Sequence, residues 1–312
     1  MSLDRLYLAR FMTASKRQHA LDLCERGREG KVLSLESFWD HNSVSKILEE
    51  YPEVKILLDS GAYTLENQKV KNYQQYLDSY IDYILKQEDR WLGYVCLDDV
   101  HDPSISWKNQ KYMEERGTAP IPVYHHGEDF KWFEKYANEY PYMGVGGVAR
   151  GGAGEGNRIL FDKIFKYIRD RNLSIKLHAF GITSFRYMMG YPWFSVDSTT
   201  WLKYANFGRV MIPRYDATKK RFNYLCTNFV ISVSDISLHK SDTDHSHYSL
   251  VYDQVTVARI DEYFEMIGID PEKLKTEQAE RLRANVYYYE RLQKEEAFHR
   301  PPKSRDDGAL FE

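Results

Sequence analysis

Cysteine is scarce in this chain: three in 312 residues, at Cys24, Cys96 and Cys226. So few thiols, set so far apart, exclude a disulfide framework and fit a reducing compartment. Long apolar runs are missing too, and none approaches the ~20 residues of a membrane span. The N-terminal stretch carries Asp4, Arg5, Arg10, Lys16 and Arg17 where a signal peptide would have its apolar core. A cytoplasmic protein with no membrane partner is the expectation. Neither sign of charge dominates: 43 basic residues face 46 acidic ones, for a net charge of −3. That balance gives no global attraction to nucleic acid, so a polyanion would need a local patch. No repeat and no linker marks an independent second domain.

Apolar residues make up 43% of the chain and charged residues 29%, which suits one large globular domain or two small ones. Tyrosine is plentiful, with 25 residues. Its ring can stack on bases or sugars, and it also fills interiors.

About eight short apolar segments recur along residues 5–198. They predict strands at Arg5–Phe11, Lys31–Ser37, Lys55–Ser60, Gly93–Asp99, Ile121–His126, Tyr142–Val148, Ser174–Phe180 and Trp193–Ser198. Helical spacing predicts helices between them at Lys16–Arg26, Ser43–Tyr51, Val70–Gln87, Ser106–Arg116, Phe130–Tyr136 and Ile159–Arg169. The seventh connection, Ile182–Tyr191, is short and irregular. Strand–helix alternation implies a parallel sheet with right-handed crossovers. A count near eight favours an α/β fold of the (β/α)8 TIM-barrel type. The expected division is a barrel over residues 1–250 and a C-terminal helical extension and tail over 251–312. Thr276–Ala297 reads as one long charged helix, and Arg300–Glu312 as a loose tail.

Polar and glycine residues gather where these strands end. Asp59 closes the third strand, Asp98 and Asp99 the fourth, and His125, His126 and Gly127 the fifth. Gly146 and Gly147 follow on the sixth, His178 on the seventh and Asp197 on the eighth. In (β/α)8 enzymes catalytic groups converge at C-terminal strand ends. A lone strand-end aspartate is often only a cap, but six such ends together ask for chemistry. Paired carboxylates let one ionise as a nucleophile while its neighbour holds a proton. Paired glycines let a flat polar ligand approach the backbone closely. The residues alone lead to glycosyl transfer or hydrolysis, with no substrate specified.

The motifs also resemble a family. Asp59-Ser60-Gly61-Ala62-Tyr63 is similar to the Asp-Ser-Gly-Gly-Phe signature of tRNA-guanine transglycosylases. Leu97-Asp98-Asp99 resembles their Asp-Glu segment, and His125-His126-Gly127 their Val-Gln-Gly. Gly146-Gly147-Val148-Ala149 resembles their Gly-Gly-Leu-Ala, and Ser195-Val196-Asp197-Ser198-Thr199 the nucleophile-bearing Phe-Asp-Cys region. The order agrees across residues 55–200. The resemblance implies Asp197 as nucleophile toward C1′ and Asp59 as general acid/base. It implies Asp98 and His126 on the base, with Gly146 and Gly147 supplying backbone contacts. Tyr63 and Phe180 flank the expected pocket, either sandwiching the base or packing the core. His178 has no matching role.

The chain departs from the tRNA enzymes in two ways. Their structural zinc motif of clustered cysteines is missing. Cys226, His239, His245 and His247 come nearest to it but lack the paired cysteines, so no metal site is expected. Their long basic insertions and their proline-threonine-arginine run are also missing. In compactness and in Ser-Val-Asp-Ser-Thr the chain looks more like the DpdA-type relatives of phages and bacteria. Those exchange guanine in DNA for a 7-deazaguanine, such as 7-cyano-7-deazaguanine. The implied partners are DNA, or alternatively tRNA, and the free base, in the host cytoplasm if the gene is a phage's. The implied mechanism needs no redox cofactor or catalytic metal. A retaining glycoside hydrolase is the rival reading.

Lys203, Arg209, Arg214, Lys219, Lys220 and Arg221 follow the eighth strand. They either bind phosphates or form an ordinary charged surface. The run Gly151-Gly152-Ala153-Gly154-Glu155-Gly156 lacks the Gly-Lys-Ser/Thr ending of a P-loop, so it reads as a lid or linker and not a phosphate cradle.

Overall fold

The computed structural model describes residues 5–18, 21–67, 72–148, 155–182, 184–226, 228–234 and 247–295. The chain folds as two compact units. Among the described residues one comprises 5–13 and 24–198, and the other 14–23 and 199–295. The described residues of 199–250 thus group with the C-terminal helices.

The first unit is built on eight parallel strands: β1 (Arg5–Ala9), β2 (Leu33–Ser37), β3 (Ile56–Asp59), β4 (Trp91–Tyr94), β5 (Val123–His125), β6 (Tyr142–Gly146), β7 (Lys176–Ala179) and β8 (Ser195–Ser198). Their order is β4-β3-β2-β1-β8-β7-β6-β5, a curled sheet with β4 and β5 at its edges. Between those edges runs a single parallel bridge, Val95 to Ile121, in place of a ladder. Cys96 N–H donates across it to the Ile121 carbonyl at 2.9 Å, and Ile121 N–H to the Tyr94 carbonyl at 2.8 Å. The architecture is α/β and TIM-like.

Helices connect most of the strands, and their starts are written in the local sequence. Asn72, Asp102 and Asp129 each accept a backbone N–H of the first turn, and Pro103 follows Asp102. The seventh connection carries only a six-residue helix, Phe185–Gly190. Outside the sheet, Phe161 packs edge-on against Tyr187, Tyr191 and Trp193. Burying such a ring contributes about 1.5–3 kcal/mol.

Period-two alternation decides which residues face the sheet interior. Tyr7 and Ala9 of β1, Leu35 of β2, Leu57 of β3 and Ile121 form one buried cluster, with Tyr142 and Phe180 packed against it. The Phe180 ring occupies the space that a side chain at Gly144 would need. The opposite face of β2 carries Glu36, which is fully buried. It accepts hydrogen bonds from Met12 N–H at 2.7 Å, the Thr13 hydroxyl at 2.7 Å and the Ser34 hydroxyl at 2.6 Å. Burial raises its carboxyl pKa despite these donors.

The fourth strand differs from expectation. It spans Trp91–Tyr94, so Asp98 and Asp99 lie in the connection beyond it and not at a strand end. The apolar run Val95-Cys96-Leu97 is buried, but the side chain of Asn109 takes the Leu97 carbonyl at 2.7 Å.

In the second unit, β9 (Arg209–Ile212) pairs antiparallel with β12 (Phe229–Ser232), and β10 (Arg214–Asp216) with β11 (Arg221–Asn223). Helices Gln254–Met266 and Gln278–Lys294 follow. Asn285, wholly buried in the longer helix, accepts from Met211 N–H at 2.8 Å and donates to the Trp201 carbonyl at 2.9 Å. One side chain thereby ties three elements together. No described helix is long and apolar enough to cross a membrane.

Candidate active site

The register explains how residues far apart in the chain meet at one end of the sheet. Asp59 is opposite Ser37, His125 opposite Gly146, and Asp197 opposite Tyr7. Alternation turns Asp59, His125, Gly146 and Asp197 to the face that carries Leu57, Val123 and Ser195.

Asp59 Oδ2 accepts the Gly61 N–H at 3.0 Å, from a glycine with φ of 81°. A Cβ at Gly61 would collide with the Tyr76 hydroxyl. Burial pushes the Asp59 carboxyl up to about 7, and the negative charge of Asp98 adds to that rise. The Gly61 N–H opposes it, the charge of Asp197 adds further, and the Ser37 hydroxyl opposes it again. Two carboxylates from distant segments, Asp98 and Asp197, therefore both act on Asp59.

This rise has a thermodynamic consequence. The folded state holds the Asp59 proton more tightly than the ordinary value of 3.8 allows, so stability falls as pH rises from about 4 to 7. Asp59→Asn is expected to raise unfolding free energy at pH 8 by on the order of 2–4 kcal/mol and to change it little at pH 4. Denaturant titration at the two pH values checks this. An equal gain at both would contradict a strained ionised carboxylate.

Asp197 is buried on β8, and its Oδ1 accepts the Gly181 N–H at 2.7 Å. The same oxygen lies 3.3 Å from His178 Nε2. His178 Nδ1 is 2.8 Å from the Ser195 hydroxyl, which is 2.7 Å from the Tyr142 hydroxyl. One consistent set of donors runs from Tyr142 to Ser195, to His178 Nδ1, and from His178 Nε2–H to Asp197. His178 thus acts as a positioning residue beneath Asp197, a link that spacing alone could not show.

Asp98 meets His125. His125 Nε2 is 2.9 Å from Asp98 Oδ2, and His125 Nδ1 is 3.1 Å from Glu128 Oε1. Burial works against charge on the imidazole. The hydrogen bonds to Asp98 and Glu128 outweigh it and lift its pKa to about 10. The other Glu128 oxygen, Oε2, is buried without a hydrogen-bond partner. Gly146 leaves room for this ring, since a Cβ there would stand 2.7 Å from the His125 Cδ2.

The remaining sequence-predicted residues are distributed as follows. His126 is exposed, one residue from the buried His125. Gly147 is exposed with φ of 74°, and a Cβ there would press on the His126 backbone N. Tyr63 is 62% exposed on the short helix Ala62–Asn67. The Phe180 ring packs against His178, with centroids 4.3 Å apart. A cavity of about 170 Å³ opens beside Asp98, lined also by Ala62, Tyr73, Asp99 and His101. Lys203 and Arg209 lie on separate elements, while Arg214, Lys219, Lys220 and Arg221 share the β10–β11 hairpin.

The Cys226 thiol donates to the Asn223 carbonyl, and His247 caps the helix Tyr248–Val251. His239, His245 and the glycine-rich residues 151–154 lie outside the described residues. No group of three or more metal-ligating side chains occurs among the described residues.

No family model matches the chain. No curated protein matches it either. Among solved structures it is similar to one from Aquifex aeolicus VF5, described as a structural study. The identity is 12%, over 65% of this chain and 85% of that one, with a TM-score of 0.40. A likeness of that degree bears no functional inference.

Proposed function

We propose that this protein is a base-exchanging guanine transglycosylase that replaces guanine in DNA with a 7-deazaguanine. The observation that carries the reading is the Asp59 carboxyl, pushed up to about 7 in a site shared with Asp98 and Asp197. A carboxyl poised near neutrality can give and take a proton in turn. A buried neighbour held by a backbone N–H and an imidazole is oriented for attack.

In this mechanism the target nucleotide first leaves the stack. An Asp197 oxygen bonds C1′ as the C1′–N9 bond breaks, and protonated Asp59 supplies the proton that guanine carries away. The incoming base gives its N9 proton to Asp59 and attacks C1′, and Asp197 departs as carboxylate. Two inversions leave net retention. His125, charged between Asp98 and Glu128, fixes Asp98 toward the base. A closed (β/α)8 frame of the transglycosylase type is part of the same reading.

The test is incubation with radiolabelled 7-cyano-7-deazaguanine and either duplex DNA or tRNA, followed by nucleoside analysis. Label is expected in DNA. Label confined to tRNA moves the substrate and keeps the chemistry. Sugar release from glycosides with no incorporation into either polymer favours the hydrolase instead.

A further inference from the structure

The second unit carries a groove that the chemistry above leaves unused. Its cavity measures about 340 Å³. Tyr215, Phe222, Phe229 and Tyr252 line it, all half-buried, together with Arg214 and Arg259. The Arg214 guanidinium lies 4.3 Å over the Phe229 ring, and the Arg259 guanidinium 4.3 Å over the Tyr215 ring. No carboxylate lines the cavity among the described residues.

Charge around the groove is mostly basic. The β10–β11 hairpin that supplies Arg214 and Tyr215 also carries Lys219, Lys220 and Arg221, all exposed. Two nearby carboxylates oppose them: Glu262 pairs with Arg259, and Asp216 accepts the N–H groups of Thr218 and Lys219. Asp253 caps its own helix, and Asp261 takes the Tyr248 hydroxyl. Among the described residues five cations stand against these four carboxylates, an excess that favours a polyanion.

We propose that this groove binds a single-stranded segment of nucleic acid, with a base among the rings and phosphates along the hairpin cations. Half-exposed aromatic faces joined to arginine and lysine are the elements of sequence-tolerant single-strand binding. The volume is at the low end of small-ligand sites, roughly 300–1,000 Å³, which suits a base with its sugar. The proposal rests on the polynucleotide part of the reading above and not on its chemistry.

Fluorescence anisotropy of the full chain with labelled oligo(dT), oligo(rU) and a duplex tests it. Single strands are expected to bind more tightly than the duplex, and binding to weaken with salt. The double variant Arg259→Glu, Tyr252→Ala is expected to weaken single-strand binding about tenfold or more. Lys86→Glu, an exposed charge reversal on the helix Tyr73–Lys86 of the first unit, is expected to change it by less than about twofold. Preference for either sugar supports the groove and identifies the strand it takes.

Unchanged affinity in the double variant overturns the proposal. So does binding that ignores Tyr252→Ala and treats duplex and single strand alike, which marks bare charge attraction. Oligonucleotide binding needs neither deazaguanine nor turnover. A negative incorporation assay therefore leaves the groove standing, and a failed groove leaves the base exchange standing.

Discussion

Asp197→Asn is expected to abolish covalent trapping of the target nucleotide and to lower turnover roughly 10⁴-fold or more. An amide cannot form the glycosyl ester, yet its carbonyl still accepts the Gly181 N–H that now reaches Asp197 at 2.7 Å. The fold should therefore survive, and circular dichroism of the variant should match that of the parent. Trapping is read by incubating protein with DNA in the absence of incoming base, then denaturing and looking for a protein–DNA adduct. An adduct that persists in Asp197→Asn would move the nucleophile elsewhere. His178→Gln offers a milder comparison. It removes the imidazole between Ser195 and Asp197, so it should slow adduct formation and shift its pH dependence without preventing it.

His125→Ala is expected to cost about 3–5 kcal/mol of stability, because Asp98 and Glu128 would lose the cation between them while staying buried. The sign of the pH effect follows from the same pair. His125 is raised from its ordinary 6.5 to about 10 in the folded state. Its contribution is fully present below 6.5 and is lost as pH rises through about 10. Denaturation free energies of the parent should fall across that window, and those of His125→Ala should fall less steeply. Parallel curves would show that the imidazole is not the charged partner.

Much of the fold could be read from the chain because strands buried on both faces write themselves as short apolar runs. All eight expected segments overlap β1 to β8, and the shortened seventh connection was visible in its irregular spacing. The error at the fourth strand has a clear cause. Val95-Cys96-Leu97 is apolar because it is buried, and burial alone does not produce a ladder. The pairing of β9 with β12 and of β10 with β11 was not legible, since mixed aromatic and basic residues give no clean alternation.

The site was legible only to the level of single strands. Asp59 and Asp197 declared themselves as carboxylates closing apolar runs. The contacts around them did not, because His178 meets Asp197 and His125 meets Asp98 only in the folded chain, with no sequence spacing to betray either pair. The adjacent histidines show the limit sharply. The strand β5 ends at His125, so His125 is interior while His126, in the turn that follows, is exposed.

The lone bridge between β4 and β5 gives the His125–Asp98 pair a second meaning. Asp98 follows β4 and His125 ends β5, so their 2.9 Å contact fastens the two margins of the sheet just past the place where the backbone offers two hydrogen bonds. A proton on one imidazole serves there as a clasp. Alkaline solution, by removing it, would loosen the contact between these two edge strands first, and amide exchange at Cys96 and Ile121 would quicken before that of the laddered strands.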